Sequence, residues 1–472
     1  MNLCIEYVSR GVYDMRQEGS TVCVREVQGN CRRRPAVRRG LLIACAIVVA
    51  LNLPGLLYVH DLPLEDDADT PVILSNVRED MSLPGLLRWF TTDWPLGNGL
   101  YRPLVAISLA GDSAVFGDWA RGYRLVNWGM AVLTALGLLF WARELGVGTV
   151  GALLAAGIFS LQQSVRQPSV HPWLVMVAGA AILAFVLRSH LRYRGSGSST
   201  IALSQWVGAS AALYLLVLHW MPLTSVISWI AARTAVMGAL FAVWAMVAVT
   251  CYARGGKPGW LAAGFALTAL ALCTYEQALM VPFAMLLLPV LARGASRRRT
   301  FIAAALLLLL LPAYGVVRLA TIGGEASEYV LLARKSGLRG PAASLASYVV
   351  RPYRLVEGAA IRLSMSFNPI DRVKWWVAIV TANFAVAFWR LFRIAPRTAG
   401  VMLVMQAILF LPMAGLHPFQ HYYYLPGLAA AVIAAGLLHP RGLSMLEAGL
   451  GPAVASIDRG SEPSEQESGV QS

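Results

Sequence analysis

The apolar stretch LLIACAIVVALNLPGLLYV, residues 41–59, decides the fold class of this protein. It contains no charged side chain, and its length is close to the roughly 20 apolar residues that cross the hydrocarbon core of a bilayer. It begins only near Arg39, behind an arginine-rich segment, and it lacks a clear small-residue cleavage site. It therefore predicts a retained transmembrane helix and not a signal peptide. A mean hydropathy of +0.60 over the chain is likewise too apolar for a soluble protein.

The same criterion, applied along the chain, predicts an all-α polytopic membrane protein with about twelve transmembrane helices. The predicted spans are residues 40–59, 123–142, 149–163, 172–188, 205–220, 229–252, 259–274, 277–292, 300–318, 375–392, 398–415 and 422–438. We expect residues 40–439 to form one membrane domain, preceded by a cytoplasmic N-terminal tail (1–39). The C-terminal tail (440–472) is predicted to be cytoplasmic and disordered, because it ends in the polar sequence DRGSEPSEQESGVQS.

Basic residues set the predicted orientation, because cytoplasmic segments of membrane proteins are enriched in lysine and arginine. The segments RRRPAVRRG, RSHLRYRG and ARGASRRRT are strongly basic, whereas the alternate short turns LHWMPLTS and TYEQ contain neither residue. We therefore expect a bacterial inner-membrane protein with both tails in the cytoplasm. This topology accounts for the formal net charge of +14, so the sequence indicates membrane lipid and not nucleic acid as a partner.

Two predicted outer segments, residues 60–122 and 319–374, are much longer than the other turns, and we expect them to form a periplasmic cap. The first contains LPLEDDADTP, residues 62–71, whose carboxylates are Glu65, Asp66, Asp67 and Asp69. The second is rich in arginine and lysine. An acidic loop opposite a basic one has two interpretations. The loops form mutual salt bridges, or one takes a proton while the other grips a phosphate.

Two apolar stretches of the first outer segment predict short helices on the membrane surface. SLPGLLRWFTTDW, residues 82–94, has a Ser-Leu-Pro start that is typical of a helix N-terminus. RPLVAISLAGDSAVFG, residues 102–117, is too short to predict a span and too polar at Asp112.

Several motifs occur in a fixed order along the chain. They are Asp66-Asp67 followed by Asn76, the block from YRPL to ARELG (101–146), WIAARTAVMGALF with Trp229 and Arg233, LALCTYEQALMVPFAMLLL with Glu276 and Pro282, and HYYYLPG with Tyr422, Tyr424 and Pro426. This order resembles the GT-C membrane glycosyltransferases, and among them the protein O-mannosyltransferase-like proteins that usually carry tetratricopeptide repeats. The resemblance covers roughly residues 40–438.

The resemblance implies a membrane enzyme that moves a sugar from a polyprenyl-phosphate carrier to a hydroxyl of a protein or envelope glycan at the periplasmic face. Asp66 is the expected general base, and Asp67 orients it; a divalent cation, if one takes part, would be held by Asp66 and Asp67. The residues expected to hold the carrier phosphate are Arg102, Arg233, Arg351, Arg354, His421 and Tyr424. The leaving group is a phosphate monoester with a second pKa near 6, so it needs cations more than a general acid.

Each of these residues also has a structural interpretation. The acidic pair fits a hydrated turn, and Arg102 fits an anchor that holds a surface helix to lipid headgroups. Arg233 begins about one turn inside its predicted span, where a charge is costly and either functional or buried in an ion pair. Glu276 fits a solvated hairpin tip. His421 and the tyrosines after it fit an interfacial aromatic belt.

The chain departs from the family pattern at Leu223, Ser225, Tyr275 and His421, and it lacks the tetratricopeptide repeats. The family has a histidine and a glutamate in the segment that holds Leu223 and Ser225, a lysine immediately before Glu276, and an arginine at position 421. These departures leave a non-catalytic scaffold derived from such an enzyme as one alternative. A lipid or solute transporter or flippase is another, although the chain shows no matching halves of the kind that many transporters have.

Overall fold

The protein is described by a computed structural model that covers residues 39–59, 69–164, 223, 225–292, 294–323, 392, 395–413 and 420–438. Within these ranges every regular element is a helix, so the predicted helical class is confirmed. Five helical segments are long and apolar enough to cross a membrane: Arg39–Tyr58, Ala120–Leu145, Ile230–Gly255, Arg297–Ile322 and Pro396–Met413. The predicted spans at 172–188 and 205–220 lie outside the described residues, as does the span at 375–392 except for Phe392. The tails up to residue 38 and after residue 438 lie outside them as well.

The helices are labelled in chain order. They are α1 (Arg39–Tyr58), α2 (Asp69–Arg78), α3 (Leu83–Arg88), α4 (Pro103–Phe116), α5 (Ala120–Leu145), α6 (Gly148–Ser164), α7 (Ser225–Ser228), α8 (Arg233–Gly255), α9 (Pro258–Leu272), α10 (Val281–Met285), α11 (Leu288–Leu291), α12 (Arg297–Leu308), α13 (Leu310–Ile322), α14 (Pro396–Phe410) and α15 (Tyr424–Leu438). Single 3-10 turns precede α8 (Ile230–Ala232), α10 (Glu276–Met280) and α15 (Gln420–Tyr423).

Local sequence explains where several helices begin and end. The Ser82 side chain caps α3 by accepting a hydrogen bond from the Gly85 amide at 3.2 Å, as the Ser-Leu-Pro start predicts. α5 and α8 both stop at a glycine in the left-handed region, Gly146 with φ 99° and Gly256 with φ 69°. A side chain at either position would strain the backbone, so glycine is what lets the chain turn there.

The predicted span at 277–292 differs from a single transmembrane helix. It is built from the 3-10 turn Glu276–Met280 and the short helices α10 and α11. Pro282 and Pro289 each occupy the first turn of a new short helix, because proline has no amide hydrogen to donate and clashes with the preceding turn of a continuous helix. The neighbouring α9 has 15 residues, about 22 Å at 1.5 Å per residue, and is shorter than a bilayer core.

Small residues let α8 lie at the centre of the bundle. Gly137 of α5 has no room for a side chain, because a Cβ there would lie 2.5 Å from Val243 Cγ1 of α8. Gly264 of α9 meets α8 in the same way, 2.8 Å from Val249 Cγ2. Membrane helices use small residues for such close backbone contact, since lipid gives little hydrophobic driving force between helices.

A polar network lies inside the bundle and joins α1, α6 and α15. Asn52 Nδ2 donates to Ser160 Oγ at 2.8 Å, and Gln163 Nε2 donates to Asn52 Oδ1 at 2.6 Å. The Tyr424 hydroxyl completes the chain by donating to Gln163 Oε1 at 2.6 Å. All four side chains are fully buried, so each hydrogen bond offsets the cost of placing a polar group in an apolar interior.

α4 lies between α2 and the α5–α8 pair. Its apolar residues Val105 and Leu109 are buried in a cluster that also contains Val77 of α2 and Met237 of α8. The prediction of a helix that only rests on the membrane surface therefore missed its protein contacts. Much of this helix is covered by other helices, including Asp112, the residue that argued against a span.

The helix ends predicted to share one side of the membrane lie together. On the predicted cytoplasmic side, Arg254 at the end of α8 pairs with Glu144 at the end of α5, with 2.9 Å between nitrogen and oxygen. Arg299 Nη1 donates to the Arg254 carbonyl at 3.2 Å, which brings the start of α12 to the same place. The ends at Arg102, Glu276 and His421, predicted to face the other side, form a separate group.

Candidate functional site

Arg102 and Glu276 form an ion pair that joins the start of α4 to the turn before α10. Arg102 Nη2 donates to Glu276 Oε2 at 2.8 Å, and Arg102 Nε donates to the same oxygen at 3.1 Å. The side chains are only 14% and 16% exposed. Glu276 is therefore a buried partner of an arginine and not a solvated hairpin tip. Burial alone lowers the pKa of Arg102, but the adjacent carboxylate outweighs it and raises the pKa above the ordinary value, so the guanidinium stays charged.

Aromatic rings enclose this ion pair. The Arg102 guanidinium lies 5.1 Å from the centroid of the Tyr275 ring and 5.8 Å from that of Trp94. Cation–π contacts of this kind stabilise a desolvated charge. Tyr275 stands where the resemblance implies a lysine, and it brings an aromatic ring to Arg102 in place of a second cation.

His421 lies against the same cluster, just before α15. Its ring centroid is 4.9 Å from that of Trp229 and 4.4 Å from that of Tyr422. Burial, and secondly the positive charge of Arg102, lowers the pKa of His421 to about 3. The imidazole is then neutral at physiological pH. It can make hydrogen bonds, but it supplies no positive charge to the cluster.

The turns around the ion pair are connected to one another. Gln277 Nε2 donates to the Tyr422 carbonyl at 2.9 Å, and the Leu104 amide donates to the Cys273 carbonyl at 3.2 Å. Two buried polar atoms in this region have no hydrogen-bond partner among the described residues, namely the Tyr314 hydroxyl and Gln277 Oε1. Orphaned polar atoms are rare in folded proteins and commonly mark a place for water or a ligand.

Arg233 is fully buried and lies in a second polar cluster. Its guanidinium donates to Asp112 and to Ser108 Oγ of α4, the latter at 3.2 Å. It also donates to Asn127 Oδ1 and to the Tyr123 carbonyl of α5, each at 2.8 Å. Arg233 is 0% exposed, and each of its three nitrogens already has an acceptor. This arrangement favours structural pairing, the alternative to phosphate contact that the sequence left open.

The Tyr424 side chain also lies in the interior of the bundle. Its hydroxyl donates to Gln163 at 2.6 Å within the polar network, and the side chain is fully buried. Its predicted contact with the carrier phosphate would require this network to open. The geometry therefore assigns Tyr424 to the joint between α6 and α15.

The remaining predicted site residues lie outside the described part of the chain. They are Asp66, Asp67, Arg351 and Arg354. No group of three or more His, Cys, Asp and Glu side chains that could hold a metal ion occurs among the described residues. The pair Asp66-Asp67, proposed as metal ligands, lies outside these residues, so both the catalytic and the metal prediction stay predictions.

α2 begins at Asp69, near the end of the acidic segment, and Arg78 at its other end binds it to the neighbouring helices. The Arg78 Nε donates to Ser113 Oγ at 2.6 Å, Nη1 to Asp118 Oδ1 at 2.8 Å, and Nη2 to the Gly117 carbonyl at 2.7 Å. A weaker bond of 3.3 Å reaches the Tyr123 hydroxyl. Arg78, the last residue of α2, thus fixes this helix to α4 and α5.

Sequence reasoning missed three residues of these clusters: Asp112, Asn127 and Arg318. Asp112 was noticed only as a polar break in an apolar stretch, and its pairing with Arg233 depends on tertiary contact between residues far apart in the chain. Arg318 was counted as the end of a predicted span. Arg318 lies one turn after Tyr314 and contacts the first outer segment. A charged residue at the end of an apolar stretch is the local signal that could have identified it.

No protein-family model, curated protein or solved structure gives a significant match to this chain.

Proposed function

We propose that the protein is a membrane glycosyltransferase that moves a sugar from a polyprenyl-phosphate carrier to a hydroxyl acceptor at the periplasmic face. One observation carries the proposal. Residues from separate motifs of the resemblance meet in one cluster: Arg102 contacts Glu276, the Gln277 side chain contacts the Tyr422 backbone, and His421 contacts Trp229. A set of motifs spread over more than 300 residues is expected to meet if it builds one site.

The chemistry assigned to this cluster is binding of the carrier phosphate. Arg102 uses Nε and Nη2 on Glu276, and no described residue accepts a hydrogen bond from its Nη1. That edge is available for a phosphate oxygen, and charge-assisted hydrogen bonds of this type are among the strongest in proteins. Glu276 then has a positioning role, because it fixes the plane of the guanidinium.

The transfer step is proposed to use Asp66. The acceptor oxygen attacks the anomeric carbon of the sugar, and the bond between that carbon and the phosphate oxygen breaks. The hydroxyl proton passes to the Asp66 carboxylate, and the carrier leaves as a phosphate monoester. Asp67 orients Asp66 or helps to hold a divalent cation. A carboxylate suits the role of base, since the acceptor needs to lose its proton only as the new bond forms.

The test is transfer by the purified, full-length protein in lipid nanodiscs, with a radiolabelled polyprenyl-phosphate hexose as donor. Asp66→Asn should lower the rate by about 10² to 10⁴, the usual cost of removing a general base, while carrier binding persists. Asp69→Asn is the matched control, because it removes a carboxylate from the same cluster. Full turnover by Asp66→Asn together with loss of turnover in Asp69→Asn would show that Asp69, and not Asp66, is the base.

The same preparation, reconstituted in vesicles, separates the alternatives. Movement of the labelled carrier across the bilayer without sugar transfer would replace the proposal with a flippase. Neither movement nor transfer, over donors with several different sugars, would favour the non-catalytic scaffold.

A further inference from the structure

The last turn of α13 faces the loop that leads into Arg102. Arg318 Nη2 donates to the Gly99 carbonyl at 3.0 Å, and the Tyr314 ring packs edge-on against the Tyr101 ring with 5.8 Å between centroids. Tyr314 and Arg318 are four residues apart, so they lie on one face of the helix, one turn from each other. Tyr314 is within electrostatic range of Arg102, Glu276 and Arg318, and Arg318 contacts the loop that leads into Arg102.

Each of these side chains has a donor that the described protein does not use. The Tyr314 hydroxyl is buried, in a residue only 8% exposed, and it has no hydrogen-bond partner. Arg318 makes one hydrogen bond, to a backbone carbonyl, and no described carboxylate pairs with it. Arg102 Nη1 has no acceptor there either. These side chains thus leave three groups with open hydrogen-bond donors: the Tyr314 hydroxyl, the Arg318 guanidinium and Arg102 Nη1.

The charge around this position favours an anion. The positive charge of Arg102 is balanced by Glu276, and His421 is neutral. Arg318 adds a positive charge that no described carboxylate balances, in a partly buried place. A charge removed from water is costly unless an opposite charge joins it. Two guanidinium groups and a hydroxyl match the several acceptor oxygens of a phosphate.

We propose that Arg318, Tyr314 and the open edge of Arg102 form a binding site for a phosphate group. The chemistry fits either a lipid-linked phosphate monoester or free phosphate. Its assignment to the carrier lipid rests on the proposed function, whereas the site itself rests on the three open donors. Arg318 supplies the positive charge that the tyrosine at 275 and the neutral histidine at 421 do not supply.

The experiment measures binding to the purified full-length protein in detergent, with farnesyl phosphate, inorganic phosphate and farnesol as probes. Arg318→Ala should weaken farnesyl phosphate binding by about 10- to 100-fold, the effect of losing a charged hydrogen bond. Arg318→Lys keeps the charge and should lose less. Tyr314→Phe should weaken binding several-fold, yet leave the free protein as stable as before or more so, because it removes a buried hydroxyl without a partner.

Arg88→Ala is the matched control, since Arg88 is also an arginine near the end of a helix (α3) but pairs with Glu79 at an exposed position. Tight, Arg318-dependent binding of farnesyl phosphate, with weak binding of inorganic phosphate and farnesol, supports a lipid-linked source. Equal binding of inorganic phosphate supports a free one. Equal binding by Arg318→Ala and Arg88→Ala, or a Tyr314→Phe variant that is stabilised but binds unchanged, overturns the site.

The two proposals fail separately. If farnesyl phosphate binds through Arg318 but no sugar is ever transferred, the glycosyltransferase proposal fails and the phosphate site stands. If transfer is observed and Arg318→Ala leaves the donor KM unchanged, the phosphate site fails and the function stands.

Discussion

At the scale of single residues, the Arg233–Asp112 pair is the clearest case of a charge held inside the protein. Arg233 is 0% exposed, and the Asp112 side chain is 12% exposed. Removing one partner of such a pair leaves an uncompensated buried charge, which costs about 3–5 kcal/mol. We therefore expect Asp112→Ala to destabilise the protein by that amount, as measured by chemical unfolding in detergent.

Asp118→Ala serves as the comparison for this prediction. Asp118 pairs with Arg78, but its side chain is 86% exposed, and exposed ion pairs contribute less than about 1 kcal/mol. A double variant, Asp112→Leu with Arg233→Met, should regain part of the lost stability, because apolar replacement of both charges removes the buried charge. It will not regain all of it, since Asn127 then lacks its partner. Equal stability of Asp112→Ala and Asp118→Ala would show that the pair is not structural.

The sequence predicted which residues are unusual better than it predicted their partners. A charge just inside a span identified Arg233, whereas Asp112 stands out in the sequence only as a polar break in an apolar stretch. Each feature is local and can be read from the chain. Their pairing is tertiary, as is that of Arg102 with Glu276, 174 residues apart. No single-sequence pattern specifies such contacts, because they depend on how helices pack after they form.

At the scale of helices, close packing of α5 on α8 depends on Gly137. A Cβ there would meet Val243 at 2.5 Å, whereas Gly129 of the same helix has no atom within 4 Å. We expect Gly137→Ala to destabilise the protein by about 1–3 kcal/mol, the usual cost of overpacking a core. Gly129→Ala should instead be neutral or stabilise it by up to about 1 kcal/mol, because alanine favours the helix.

The opposite signs make this pair of variants a strict test. Both change one hydrogen to a methyl group in the middle of one helix, so helix propensity cancels between them. Thermal unfolding of each in the same detergent gives the comparison. Stabilisation by Gly137→Ala would mean that α5 and α8 do not approach as closely as described.

Helix ends could be predicted from the sequence where a residue of the right type begins or ends the helix through its own local geometry. Ser82 at the start of α3, and Gly146 and Gly256 after α5 and α8, act through their own backbone and side-chain geometry. The break in the segment 277–292 was also present in the sequence, at Pro282 and Pro289. It was missed because an apolar window averages over prolines, although proline interrupts a helix whatever its neighbours are.

At the scale of the whole molecule, the alternation of helix directions is what gathers the candidate site. Ends predicted to face the periplasm hold Arg102, Glu276, Arg318 and His421, whereas the opposite ends hold the Glu144–Arg254 pair. The charge pattern could predict this alternation because lysine and arginine bias the orientation of every span. For α2 to α4 the predicted side follows only from the spans on either side of them, since long loops are not governed by that bias.

The orientation of the bundle is therefore the last prediction. In a background without native cysteines, Ser75→Cys in α2 and Arg298→Cys in α12 place one thiol at each end, both at exposed positions. A membrane-impermeant maleimide added to intact spheroplasts should label position 75 and leave position 298 unlabelled until the membrane is opened. The reverse pattern would put α2 and the segment that precedes it in the cytoplasm. The site would then face the wrong side for a periplasmic acceptor, and the proposed transfer would fail even if phosphate binding through Arg318 were observed.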